Sequence, residues 1–563
     1  MADNGQQQVA ATTTVANNDI PVDAVAAHEA IRNEREMTVR DTLRLWPKAI
    51  LFSFILSLAI IMEGYDTSLM SNFYAYPAFK NRYGDEPDPD GGMLISANWQ
   101  TIISNSTQVG SILGLILNGF ITEWFGFKRS MIYTMTALIA AIFIPFFSNS
   151  LGMFVAAGIL QGIPWGVFQT LAVTYAADIC PTGLRTYMTS WINMCWVIGI
   201  LLSSGILRGL MSIEGQWGYR IPFALQWVWP VPIIIATIFA PESPWWLVRQ
   251  GRIEDARASV LRMVKLESGV PFDLDAHVEM MIATNQFEKE VSTGVQYWDC
   301  FRGVDLRRTE ISCVTWCYIK ADPFTQVVQA LCGVPFMSYS TQFLIQAGLS
   351  TEDAYSLNLG QNGLSLFGCI IAWWIMTYVG RRTLYVYGLA IMLVILFVSG
   401  CLGIPSESQG DAEARSWAVG ALLVFMLFCF QLTLGPSCYT LVAEMPSTRL
   451  RIKTVALARA CYNIAGLVTN FIMPRMVGKN DWNWGAKTAF FWAGITLIFL
   501  AWTYFRLPEP AGLTYAELDL LFEHRVSARK FSHELASQFA GDLTMPDEKR
   551  AAGGAAEHHV EKV

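Results

Sequence analysis

Charged residues are scarce in this chain. Only 15% of its 563 residues are Asp, Glu, Lys or Arg, whereas about 25% are charged in an average soluble domain. A soluble protein of this length would divide into several domains with charged surfaces, so the composition excludes that class. The net charge of -7 and the lack of a basic stripe exclude nucleic acid as a partner, because phosphates need basic residues for neutralisation.

Metal-binding and catalytic patterns are also lacking. The 11 cysteines include no CxxC pair, and most lie in apolar runs as small hydrophobic residues. All six histidines fall in polar segments, which leaves no imidazole inside an apolar run for a proton relay. The chain contains no HExxH, GxSxG or phosphate-binding loop. We therefore expect neither an enzyme nor a bound metal or cofactor.

Long apolar runs dominate what is present. Hydrophobic residues make up 53% of the chain, and a helix needs about 20 of them to cross a bilayer core of ~30 Å. The pattern predicts an all-α membrane protein with twelve transmembrane helices. The segments lie at 49–73, 99–121, 130–148, 151–176, 187–207, 221–240, 311–346, 357–378, 384–404, 416–442, 454–477 and 487–506. The seventh is too long and irregular for one helix.

Basic residues gather in the loops on one side of these segments, which we call the basic end. The opposite loops, the acidic end, carry DEPDPD at 85–90, Glu352 with Asp353, and Asp411 with Glu413. Because short cytoplasmic loops are enriched in Lys and Arg, the basic end is expected to be cytoplasmic. The even number of crossings then places both termini in the cytoplasm.

A charged stretch at 241–310 divides the chain into two similar halves. It predicts short amphipathic helices, most clearly over RIEDARASVLRMVKLE. The predicted organisation is a cytoplasmic tail (1–48), a six-helix bundle (49–240), this central loop, a second six-helix bundle (311–506) and a cytoplasmic tail (507–563) whose end is disordered. Loop motifs recur in both halves, as two bundles related by an axis along the membrane normal would produce.

The repeated loop motifs predict a gate at the basic end. An acid ends one helix and an arginine follows seven residues later, in DICPTGLR and again in EMPSTRLR. Pairing with the basic loop of the same half would hold the bundles together when the cavity faces outward. The alternative is that the charges only set topology. The candidate gating residues are Lys128, Arg129, Asp178, Arg185, Arg381, Arg382, Glu444 and Arg451.

Several long motifs carry a family resemblance. PESPWWLVRQGR (241–252) and LPEPAGLTYAEL (507–518) resemble signatures of the sugar porters of the major facilitator superfamily. MEGYDTSLMSNFYAYPAF (62–79), GIPWGVFQTLAVTYAADICP (162–181), WGYRIPFALQWVWPVP (217–232) and GPSCYTLVAEMPSTRLRIKTVALAR (435–459) are similar to fungal α-glucoside, or maltose-type, permeases. The resemblance covers nearly all of residues 40–530.

The resemblance implies proton-coupled uptake of a sugar or glycoside by alternating access, in the major facilitator fold. It also implies a monomer in the plasma membrane, with protons, a small sugar and the lipid bilayer as partners. A facilitator or exporter for another small metabolite stays open as an alternative. A nutrient sensor is a further one, although sensors of this type usually add a long cytoplasmic tail.

Charged residues inside the apolar runs are the candidates for proton coupling. Glu63 and Asp66 follow fourteen uncharged residues in the first run and stand three positions apart, so they share a helical face. Two neighbouring acids in a low-dielectric cavity should not both be ionised at neutral pH. Arg459 in the eleventh run is the candidate partner, and the resemblance implies the same coupling role. The alternatives are acids that bind sugar hydroxyls and an arginine that snorkels to the headgroups.

Amides and aromatic residues from both halves are the candidates for substrate binding. Carried over from the sugar porters, they are Asn193, Gln329, Tyr439, Tyr462 and Asn463, with Gln169, Gln361 and Asn362 as additions. Amides pair with ring hydroxyls, and aromatic faces cover apolar C–H patches. For any single residue, hydrogen bonding between helices is an equal alternative.

The chain also departs from the maltose-type pattern. Ser111, Gly158, Ile200, Ala330 and Ala460 stand where that pattern has amides. A substrate hydroxyl left unpaired in a dry site costs about 1–3 kcal/mol, so a pocket retuned for another glycoside or a less polar metabolite is predicted. Residues 317–326 form an insertion relative to the family. It is either a cytoplasmic extension ahead of the seventh helix or a mistranslated segment.

Overall fold

The computed structural model is almost entirely helical. It describes residues 37, 39–88, 92–180, 182–213, 215–292, 300–316, 331–346, 348–376, 378–404, 410–445, 450–478, 480–510, 518, 521–532 and 535. In the first half the elements are α1 Val39–Leu45, α2 Pro47–Phe73, α3 Pro77–Tyr83, β1 Glu86–Pro87, β2 Met93–Leu94, α4 Ala97–Phe146, α5 Leu151–Ile179, α6 Thr182–Gly209, α7 Trp217–Leu225 and α8 Pro230–Phe239. A 3-10 turn, Gln226–Val228, joins α7 to α8.

The central segment and the second half are also built from helices. Four helices at the basic end are α9 Pro244–Arg249, α10 Ile253–Met263, α11 Leu274–Ser292 and α12 Gly303–Trp316. The helix predicted over RIEDARASVLRMVKLE is α10. The remaining elements are α13 Val334–Ser338, α14 Ser340–Gln346, α15 Thr351–Ile375, α16 Arg381–Leu402, α17 Gly410–Glu444, α18 Arg451–Val477 and α19 Thr488–Arg506. Short 3-10 turns lie at Leu266–Ser268, Gly485–Lys487 and Ala528–Lys530.

Eight stretches of the described chain are long and apolar enough to cross a membrane. One of them, α4, is 50 residues long and holds two crossings, because Gly126 breaks its helical backbone at φ 81° and ψ 174°. Only glycine reaches that conformation without strain. The helices α15 and α18 have 25 and 27 residues, enough to span although they are more polar. The seventh crossing includes 317–330, the predicted insertion among them, which lie outside the described residues.

Small residues let the crossings of the first half pack closely. A Cβ added to Gly110 in α4 would lie 2.4 Å from the carbonyl oxygen of Ile159 and 2.9 Å from the Cα of Gly162, both in α5. Such contacts replace hydrophobic driving force inside a membrane, where lipid is as apolar as leucine. They fix α5, and Gln169 on it, against the rest of the bundle.

The two ends of the molecule are held together differently. One apolar cluster runs through the second half and includes residues of the first half at the acidic end, such as Phe73 and Phe79, with Tyr355 and Trp492 from the second half. A separate cluster at the basic end packs the first half against the central helices. Apolar packing between the halves is therefore concentrated at the acidic end.

Polar contacts between the halves also collect at the acidic end. Arg208 pairs with Glu352, and its Nε donates to Ser356 Oγ at 2.7 Å. Arg475 Nη2 donates to Asn98 Oδ1 at 2.7 Å. Asn72 of the first half accepts two more hydrogen bonds, from Tyr355 Oη to its backbone oxygen at 2.6 Å and from Thr341 Oγ1 to its Oδ1 at 3.0 Å. Asn480 Nδ2 donates to Glu86 Oε2 at 3.1 Å. The structure is thus a state closed at the acidic end.

Candidate functional site

Glu63 lies in the middle of α2 and is buried. Gln169 of α5 donates a hydrogen bond from Nε2 to Glu63 Oε1. The other end of the same amide, Gln169 Oε1, accepts a bond of 2.7 Å from Arg459 Nε of α18. A carboxylate in the first half is therefore linked to a guanidinium in the second half through one carboxamide.

Arg459 is turned into the protein in this state. Its guanidinium carbon lies 5.2 Å from the ring centroid of Tyr462, one turn along α18, within the range of a cation–π contact. The bond to Gln169 and this contact both hold the charge between the halves. The guanidinium therefore does not extend to the headgroups here, which was the alternative considered from the sequence.

Asp66 is also buried, but its partner differs. Gln226, in the 3-10 turn between α7 and α8, donates from Nε2 to Asp66 Oδ1. Gln226 Oε1 in turn accepts from Gln161 Nε2 of α5 at 3.3 Å. Every member of this network belongs to the first half. The two acids expected to share a helical face thus have separate amide partners.

A second polar group joins the halves near the middle of their helices. Asn193 Nδ2 of α6 donates to Gln431 Oε1 of α17 at 3.2 Å and contacts Cys369 Sγ of α15 at 3.5 Å. Cys369 Sγ donates to the same Gln431 oxygen at 3.4 Å. Asn193 was predicted to bind substrate, and the structure brings Gln431 and Cys369 to it from the other half.

Asn362 and Gln361 of α15 take different directions. Asn362 Nδ2 donates to Ser204 Oγ of α6 at 2.8 Å, and Ser204 Oγ donates to Asn358 Oδ1 at 2.7 Å, so this group also crosses between the halves. Gln361 Oε1 accepts from Ser340 Oγ at 3.4 Å and so contacts the seventh crossing of its own half. Asn463 is buried, and its Nδ2 has no hydrogen-bond partner within the part of the chain that the structure describes.

Several predicted site residues fall outside what the structure describes. Gln329 lies in 317–330, and Tyr439, Arg185, Glu444 and Arg451 lie in helices whose side chains are not described at those positions. Their binding and gating roles stay predictions.

At the basic end the acid that caps the first basic loop is Glu242. Its Oε1 accepts from the backbone N–H of Phe127 at 2.9 Å and of Lys128 at 3.3 Å, just after the Gly126 break. Burial raises the pKa of the Glu242 carboxyl, and the N–H groups of Ser243, Lys128 and Phe127 act in the opposite direction.

The second half repeats this cap. Glu509 Oε1 accepts from the N–H of Arg381 at 2.9 Å, and its Oε2 accepts from that of Arg382 at 3.0 Å. Asp178, the predicted gating acid, accepts from Ser243 Oγ at 2.8 Å and lies 3.5 Å from Arg249 Nη2. These described contacts join the first half to the central segment and the second half to the segment that follows it.

Comparisons with known proteins identify the family. Residues 52–522 match the family described as "Sugar (and other) transporter". The general alpha-glucoside permease of Saccharomyces cerevisiae is 39% identical over 528 residues, which cover 92% of this chain and 83% of the permease. Maltose permease MAL31 of the same yeast is 39% identical over 519 residues, covering 91% of this chain and 82% of the permease.

This chain belongs to the sugar transporter family. The proton:xylose symporter XylE, solved with 6-bromo-6-deoxy-D-glucose, has the same fold, with a TM-score of 0.67 at 19% identity over 85% of this chain and 99% of that one. A partially occluded, inward open structure of XylE from E. coli gives a TM-score of 0.65 at 16% identity, covering 83% of this chain and all of that one. The predicted membrane fold of twelve helices in two bundles is confirmed, and the chain is a transporter rather than an enzyme.

Some residues of this candidate site were not predicted from the sequence. Gln226, Gln161 and Gln431 are single amides in apolar runs, where a residue that packs and one that binds look alike. Glu242 and Glu509 stand inside the quoted signatures PESPWWLVRQGR and LPEPAGLTYAEL. Among the described residues, no group of three or more His, Cys, Asp or Glu side chains could hold a metal ion.

Two of the positions that lack the family's amides lie in a helix interface. A Cβ added to Gly158 of α5 would lie 2.1 Å from Ser106 Oγ of α4. A Cβ on Gly166 would lie 2.1 Å from the carbonyl oxygen of Ser111. Gly158 and Ser111 therefore contribute to packing between α4 and α5.

Proposed function

We propose that this protein transports α-glucosides of the maltose class by alternating access, driven by a proton gradient. The curated relatives of comparable length are named alpha-glucoside and maltose permeases, and a solved structure with the same fold is a proton:xylose symporter. In the proposed orientation the basic end faces the cytoplasm of a plasma membrane, and both termini lie there. The transporting unit is a monomer.

The observation that carries this proposal is the polar group formed by Asn193 and Gln431. Within the described residues, Asn193 Oδ1 and Gln431 Nε2 take part in no hydrogen bond, although the other end of each amide is bonded. One acceptor and one donor are thus left, on opposite halves. A sugar hydroxyl can donate to the first and accept from the second. A substrate bound there would bridge the two halves.

The state seen here fits one step of that cycle. The halves are joined at the acidic end by the Arg208–Glu352 pair and by the hydrogen bond from Arg475 to Asn98. With the basic end in the cytoplasm, this is a state that is closed to the outside. The outward-facing state would break the Arg208–Glu352 and Arg475–Asn98 contacts.

Proton coupling is assigned to Glu63. Glu63 Oε2 is buried and has no hydrogen-bond partner among the described residues, while Oε1 is bonded to Gln169. A buried carboxylate oxygen without a partner is costly, so a proton on the carboxyl lowers the cost of this arrangement. Asp66, whose network stays in the first half, is assigned a supporting role.

The proposal is tested by uptake of labelled maltose, glucose and a less polar glycoside in yeast cells that lack their own sugar transporters. We expect maltose to be concentrated at an external pH of about 5 and a protonophore to abolish the concentration. Equal or stronger uptake of the less polar glycoside would support the retuned pocket. Uptake of none of the three would contradict the proposed substrate class.

A further inference from the structure

We infer that Gln169 is the positioning residue that links the proton on Glu63 to the contact between the two halves. The inference rests on the proposed proton coupling and goes beyond it. Gln169 was predicted from the sequence only as a weaker substrate contact. The structure gives it a different set of partners.

Both ends of the Gln169 carboxamide are used, and in one orientation only. Its Nε2 donates to Glu63 of α2, and its Oε1 accepts the 2.7 Å bond from Arg459 of α18. Arg459 carries only donors and an ionised carboxylate offers only acceptors. The amide is therefore oriented by the charge on each side, and a side chain without both a donor and an acceptor cannot replace it.

The link between the halves depends on the charge of Glu63. Hydrogen bonds to an ionised group are roughly twice as strong as bonds between neutral groups, and linked bonds strengthen one another. Protonation of Glu63 removes the anion and adds an O–H group that competes with Arg459 for Gln169 Oε1. The contact to α18 is thus strong when Glu63 is ionised and weak when it is protonated.

The charged and titratable groups near Glu63 have partners of their own. The carboxylate of Glu63 interacts electrostatically with the positive charge of Arg459. On its own helix, Asp66 is bonded to Gln226, and the Tyr65 phenol donates to Pro222 O at 2.8 Å. The helices α6 and α5, which pack against α2, carry the buried thiol Cys195 and, at the basic end, Asp178, which is bonded to Ser243. Among the described residues, the side chain of Glu63 is hydrogen-bonded to Gln169, which contacts the second half.

The first experiment compares Gln169→Leu with wild type in proteoliposomes or transporter-deficient yeast. Each unit of inward pH gradient supports up to about tenfold accumulation per proton. We expect Gln169→Leu to lose this accumulation, with a final ratio of about one, while maltose counterflow stays within about threefold of wild type. The pH at which counterflow falls to half should rise by about one unit, because the ionised carboxylate loses its amide donor.

A second variant guards against a merely structural effect. Gln169→Glu has nearly the same shape, and when protonated it can donate to Glu63 and accept from Arg459. It should concentrate maltose only at acidic external pH, below about 5. Gln226→Leu is the matched control, since it removes the amide partner of Asp66 without touching a contact between the halves. It should transport more slowly but still concentrate maltose.

Each other outcome overturns the inference. If Gln169→Leu concentrates maltose with the wild-type pH profile, Gln169 does not carry the coupling. If its counterflow KM rises about tenfold at unchanged pH dependence, Gln169 contacts sugar instead. If Gln226→Leu alone loses accumulation, the coupling runs through Asp66. Failure of the wild type to take up any sugar would instead contradict the proposed function.

Discussion

Two buried acids stand one turn apart on the same helix, and their surroundings differ in one respect. The network of Glu63 leaves the first half through Gln169 and reaches Arg459 in the second half. The network of Asp66 passes through two amides, Gln226 and Gln161, and ends inside the first half. Both acids are bonded by a carboxamide, so burial and the type of the immediate partner do not distinguish them.

The difference indicates that the proposed coupling depends on whether a network reaches the second half. A proton can influence alternating access only if it changes the relative stability of two arrangements of the halves. Glu63 is placed to do so because its partner Gln169 contacts α18. The described partners of Asp66, on the turn before α8 and on α5, all belong to the first half. We therefore expect loss of Glu63 to uncouple transport and loss of Asp66 to weaken it.

The largest effect is expected from a change of Arg459, the residue of the second half that distinguishes the Glu63 network from the Asp66 network. Arg459→Gln removes the charge in the second half that the Glu63 network reaches, so maltose accumulation should fall from up to roughly 100-fold, at two units of pH gradient, to about one. Arg475→Gln is the matched control, an arginine on the same helix that also bonds to the first half, but to the neutral side chain of Asn98. The control should still concentrate maltose. Accumulation of maltose by Arg459→Gln would show that coupling does not require the charge of Arg459.

A smaller effect tests the other group that joins the halves. Gln431→Leu removes the donor proposed to meet a sugar hydroxyl, which costs about 1–1.5 kcal/mol and should raise the maltose KM about five- to tenfold. Accumulation at saturating maltose should persist, because Gln431 is not part of the Glu63 network. Thr433→Val on the same helix is the control, since Thr433 Oγ1 donates to its own backbone at Cys429 O over 2.7 Å. An unchanged KM would remove Gln431 from the sugar site.

The smallest effect concerns the acidic end. Arg208 and Glu352 are 32% and 67% exposed, and such ion pairs contribute about 0.2–1 kcal/mol. Loss of this ion pair in Arg208→Ala should make the closed state less favoured. A cysteine introduced by Thr341→Cys should then be labelled from the outside at most about fivefold faster. Arg257→Ala, which breaks an ion pair with Asp275 within the central segment, should leave the rate unchanged. Equal labelling rates in the wild type, Arg208→Ala and Arg257→Ala would show that the Arg208–Glu352 pair does not stabilise the closed state.

The fold was predictable from the sequence because bilayer thickness fixes the length of each apolar run. The two acids and Arg459 were predictable because a charge inside such a run is costly and so indicates function. The amides were not, since Gln169 and Gln226 look alike in sequence and differ only in which half their next partner occupies. The cap at the Gly126 break was missed for a related reason. Sequence spacing links Asp178 to Arg185, whereas tertiary packing brings Glu242 to that turn.

The most direct test of the central claim is the proton uptake that accompanies maltose. Alkalinisation of a weakly buffered medium on addition of maltose would be measured for wild type, Glu63→Gln and Asp66→Asn at the same expression level. We expect proton uptake with the wild type, none with Glu63→Gln even though maltose counterflow persists, and a reduced but definite signal with Asp66→Asn. Proton uptake that survives in Glu63→Gln and disappears in Asp66→Asn would contradict the assignment of proton coupling to Glu63.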